Sequence, residues 1–87
     1  MARTLHSMEA QRLSRARAAL TVARSPADAT IAELENEREL LVEGGTAAQS
    51  TDSAEGVPLW EELCERIREV DARLKALDPS WVPRHMR

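Results

Sequence analysis

The chain has 87 residues, a net charge of −3, two tryptophans, no Phe or Tyr, and one cysteine, which together bound one small domain with few large apolar side chains. The single cysteine excludes an internal disulfide, and Cys64, His6 and His85 are too scattered to form a zinc site. No apolar run nears the ~20 residues of a membrane span, residues 1–10 lack a secretory signal pattern, and a cytoplasmic location is expected.

The first predicted helix covers residues 2–24. Leu5, Met8, Leu13 and Leu20 fall on one side of it, interrupted by Glu9 and Arg12. This segment is also the basic part of the chain. Residues 1–25 hold five arginines against one glutamate, whereas residues 26–78 hold fourteen acids against five bases. Arg15, Arg17 and Arg24 are therefore candidate phosphate contacts for a nucleic-acid-binding regulator. Equally, the arm can pair with the acidic body: an antiparallel fold about Ser25 brings Arg12 to Glu39 and Arg17 to Glu33 and Glu35.

Ser25-Pro26 reads as the end of that helix and the cap of the next, with Pro26 at the first position and Asp28 at the third. The second helix is predicted over 26–43, stopping at Gly44-Gly45. Residues 44–57, GGTAAQSTDSAEGV, read as a flexible linker of small polar residues. They lack the lysine and spacing of a phosphate-binding loop.

The third helix, predicted over 58–77, carries the strongest pattern. Trp60, Leu63, Ile67, Val70, Leu74 and Leu77 alternate in steps of three and four, the stripe of a helix packed lengthwise on another. Ala27, Ile31, Leu34, Arg38 and Leu41 repeat the rhythm. Antiparallel pairing then places Leu41 opposite Trp60, Leu34 opposite Ile67, Ile31 opposite Val70 and Ala27 opposite Leu74. Arg38 is the polar intruder, either fixing register or reaching Glu62 or Glu65 with its head group. Residues 62–77 resemble the opening helix of the all-helical chorismate mutases at Leu63, Ile67, Arg68, Val70, Asp71, Leu74 and Leu77. What they share is the amphipathic repeat, and no catalytic residue is carried over.

Residues 79–87 form an irregular tail punctuated by two prolines. Trp81 and Val82 either dock into a partner groove or fold back over the hairpin near Leu77, Leu74 and Ala27. The expected fold is all-α: an antiparallel helical hairpin with an additional N-terminal helix, one domain over 1–78. The expected role is a non-enzymatic protein–protein interaction module, adaptor or assembly component. It would bind itself or another protein through Leu5, Met8, Leu13, Leu20, Trp81 and Val82, with no cofactor and no metal.

Overall fold

A computed structural model of the chain describes the backbone from residue 2 and the side chains from residue 8 to residue 87. The described residues form three α-helices, α1 (Ala2–Leu20), α2 (Ile31–Gln49) and α3 (Gly56–Leu77), and a last 3-10 turn at Arg84–Met86. Helices α2 and α3 make the expected antiparallel hairpin, and α1 packs on it within the same chain.

The heptad stripe builds the core. Leu34, Leu41, Leu63, Val70 and Leu74 are the largest fully buried side chains, joined by Ala16 and Ala19 of α1, Ala29, Ala48 and Trp81. Burying each Leu or Val contributes about 1.5–3 kcal/mol, so these positions dominate the packing. The register differs from the one the stripe suggests. Cross-hairpin contacts pair Glu37 with Arg66, Gly44 with Leu63 and Arg38 with Asp71, displaced by two to eight residues from the expected pairing. Trp60, expected opposite Leu41, is consequently 38% exposed, and Leu77 is exposed too.

Four helix boundaries differ from those expected, including the start of α3 at Gly56. The first helix ends at Leu20 rather than at residue 24. The second begins not at Pro26 but after Thr30, whose hydroxyl accepts from Glu33 N–H while the Glu33 carboxylate accepts from Thr30 N–H, a capping box. Ser25 is instead tied into the tertiary structure: its N–H donates to Glu37 and its carbonyl accepts from Arg73. Residues 26–29 close only an isolated turn, Ala29 N–H to Pro26 O at 3.0 Å.

Gly44 and Gly45 do not stop α2, and residues 44–57 are not a linker. The helix continues to Gln49, burying Ala47 and Ala48. Two helical glycines cost about 1 kcal/mol each relative to Ala, and packing offsets that at Gly44. A Cβ there would lie 2.2 Å from Ala19 Cβ, so this glycine lets α1 cross α2 in close contact. The hydroxyls of Ser50 and Thr51 then bond back to the Thr46 and Ala48 carbonyls, satisfying orphan acceptors at the helix end. Only residues 50–55 connect α2 to α3. Pro58 sits in the first turn of α3, where its missing N–H costs nothing.

The α1–α2 connection is held from α3 by two arginines. Arg66, 8% exposed, donates through Nη1 to the carbonyls of Leu20 (3.2 Å) and Val22 (2.8 Å), and through Nη2 to Glu37 (3.2 Å). Glu37, 5% exposed, uses its other oxygen to accept from Ser25 N–H at 2.8 Å. Burial opposes ionisation of Glu37, but the Ser25 bonds and the Arg66 charge outweigh it and hold the carboxyl below its ordinary 4.5. Arg73 spans the same connection, donating to Ser25 O at 2.8 Å and to Pro26 O.

Candidate interaction surface

The tail folds back onto the hairpin. Trp81 is 5% exposed and lies in the core cluster, so it is not a projecting anchor for a partner. Its Nε1–H donates to Glu35 Oε1 at 3.2 Å, and the Arg38 guanidinium sits 5.6 Å from the ring centroid, a cation–π distance. Arg38 also donates to Asp71 at 2.6 Å. Its head group thus bonds Asp71 across the hairpin rather than Glu62 or Glu65. Glu35 gathers the rest of the tail, accepting from Arg87 at 2.9 Å and Arg84 at 3.1 Å. The Arg87 bond, then that of Trp81, with Arg84 adding to both, holds the Glu35 carboxyl below 4.5 despite partial desolvation.

The basic arm pairs with the body, though not with the acids that folding about Ser25 selects. Arg17 bonds Glu55 at 2.7 Å and Arg24 bonds Glu69 at 3.2 Å, both exposed pairs. Arg12 donates to Ser50 O, and Glu9 accepts from Asp52 N–H. The longer α1–α2 connection shifts α1 along α2, which puts its middle beside the 50–55 turn. Arg15 remains exposed and has no ion pair among the described residues.

The apolar candidates are scattered by this arrangement. Met8 and Val82 are exposed, Leu13 and Leu20 are half-buried, and Leu5 lies outside the described side chains. Cys64 is half-buried beside a recess of about 400 Å³ that Trp60, Glu61 and Arg68 also line and that no histidine lines among the described residues. Among the described residues no three His, Cys, Asp or Glu side chains converge as metal ligands, and no helix is long and apolar enough to cross a membrane.

What the fold does create is a groove of about 750 Å³ between α1 and α2, on the side away from α3. Ala18, Ala19, Gly44 and Ala47 make a shallow floor, with Val22 and Leu40 at its edge. Leu40 is 48% exposed, and Val42 is also exposed. Arg15 stands on the α1 wall and Glu43 on the α2 wall, neither ion-paired among the described residues. The sequence held one signal for this surface. Leu40-Leu41-Val42 are three consecutive apolar residues on a helix, where successive side chains point about 100° apart. With Leu41 in the core, its neighbours must flank the packed face.

Comparison with known protein families, with curated proteins and with solved structures finds no match for this chain.

Proposed function

We propose that the chain is a non-enzymatic protein–protein interaction module, a small helical adaptor or assembly component acting in the cytoplasm. The observation that carries this reading is the α1/α2 groove: small residues on the floor, an exposed leucine on the wall, and unpaired charges of opposite sign above it. A helix ridge fits such a groove, with the apolar floor giving affinity and the rim charges setting orientation. The nucleic-acid reading has less behind it, because Arg17 and Arg24 already face Glu55 and Glu69 and leave Arg15 alone.

The test compares affinity-tagged wild type with Leu40→Asp in capture from the source cells, with helicity of both checked by circular dichroism. A protein retained by wild type and lost by the folded variant supports the module. Identical captures would refute the groove as the binding surface, and salt-labile nucleic acid on both would revive the regulator reading.

A further inference from the structure

We infer that the occupant of the α1/α2 groove is a second copy of this chain, an inference that rests on reading the groove as the interaction surface. The argument is charge complementarity across a two-fold axis. The α1 wall presents Arg15 and the α2 wall presents Glu43, both exposed and unpaired among the described residues. One wall is thus basic and the other acidic, and an axis running along the groove lays each copy's α1 over the other's α2. Contacts of Ala19 with Gly44 and of Arg12 with Ser50 fix the level of one helix against the other. At that level Arg15 of one copy lies about 7 Å along the helix axis from Glu43 of the other, a gap that the two long side chains can span. Leu40 falls beside the other copy's Val22 at the apolar end of the groove. An isologous contact of this kind makes every pairing twice.

The alternative axis, across the groove, stacks α1 on α1 and sets the Arg12 and Arg15 rows of the two copies against each other. Like charges disfavour that arrangement. A short chain with two tryptophans and no Phe or Tyr also gains from a second apolar surface. Leu40 and Val42 are large apolar side chains that this face leaves exposed.

The test uses the full chain in sedimentation and light scattering from micromolar to millimolar concentration. Wild type should dimerise. Arg15→Glu and Glu43→Arg should each weaken the dimer by about tenfold to a hundredfold, since each converts two attractive contacts into two repulsive ones. The double variant should recover most of that loss, and Leu40→Asp should abolish the dimer. All these positions are exposed, and circular dichroism checks that the variants stay folded. A wild-type chain that is monomeric at millimolar concentration overturns the inference. A dimer indifferent to the charge reversals overturns it as well. In either case, a foreign protein lost on Leu40→Asp would leave the interaction-module reading standing with a different occupant.

Discussion

Replacing Arg66 by Met separates a simple ion pair from a structural hub. Arg66 and Glu37 are both buried and bonded to each other, and removing one partner of such a pair leaves the other charge uncompensated, at about 3–5 kcal/mol. The whole fold of a chain this size is worth roughly 4–13 kcal/mol at 0.05–0.15 kcal/mol per residue. The variant should therefore be close to unfolding, with its Tm lowered by at least roughly 12 °C. A buried ion pair alone would be replaceable, because an apolar pair of similar volume is often neutral or stabilising. Here the double variant Glu37→Leu/Arg66→Met should fall short of wild type. It still strips the Leu20 and Val22 carbonyls of their donor and Ser25 N–H of its acceptor. A buried group left unsatisfied costs about 1–3 kcal/mol, so a residual loss of that order should persist. Urea unfolding followed by helix ellipticity gives all three free energies. A loss below about 1 kcal/mol for Arg66→Met, or full recovery in the double variant, would refute the hub.

The two neighbouring glycines should respond with opposite sign: Gly45→Ala, with open space at its Cβ, should stabilise by up to ~1 kcal/mol. Gly44→Ala should destabilise by ~1–2 kcal/mol, because overpacking against Ala19 exceeds the gain in helix propensity; equal effects in urea melts would argue against the close crossing. Trp81→Ala should cost about 3–5 kcal/mol and release Arg84 and Arg87. A loss under ~1 kcal/mol, or a solvent-like emission maximum for Trp81 in a Trp60→Phe background, would show that the tail is not seated. Glu35 and Glu37 both have carboxyls held below 4.5 in the folded chain, so their contribution is fully present above that value and is lost as pH falls through the folded values. Urea midpoints should be flat above about pH 5 and decline below it, and Glu35→Gln should flatten the decline; an unchanged slope would remove Glu35 as its source.

The fold was legible wherever apolar periodicity determines it. Leu34, Leu41, Leu63, Val70 and Leu74 lie where a stripe of threes and fours puts them, and all are buried. The errors came where a residue has one meaning locally and another in contact. Ser25-Pro26 has the chemistry of a helix start, but Glu37 and Arg73 bond its backbone, and the Thr30–Glu33 capping box starts the helix instead. Gly44-Gly45 has the chemistry of a helix stop, but Ala19 needs the space that Gly44 leaves. Extending α2 to Gln49 then moved the turn and slipped the register. That shift turned Trp60 outward. Nothing in a charge pattern distinguishes Arg66 from Arg68 until the register is known. The candidate groove was beyond reach for the same reason, since its walls come from two helices whose offset depends on the position of α2's start.

Arginine does in this chain what aromatic residues do in larger cores. Arg66 and Arg73 of α3 reach across to backbone carbonyls at Leu20, Val22, Ser25 and Pro26, tying the end of α1 to the hairpin through groups that apolar packing cannot satisfy. Arg38 covers Trp81 with its planar head while bonding Asp71. Each task uses the flat, many-donor fork of a guanidinium, and a lysine ammonium would supply neither the stacking nor two divergent bonds. Eleven of the twelve basic residues are arginine, and at these positions that choice has a structural reason. It also bears on the groove. With α1 tied at its C-terminal end by Arg66 and pressed on Gly44 at Ala19, the groove's two walls are set before anything binds. Less ordering entropy then opposes association, and a modest surface can serve as an interface.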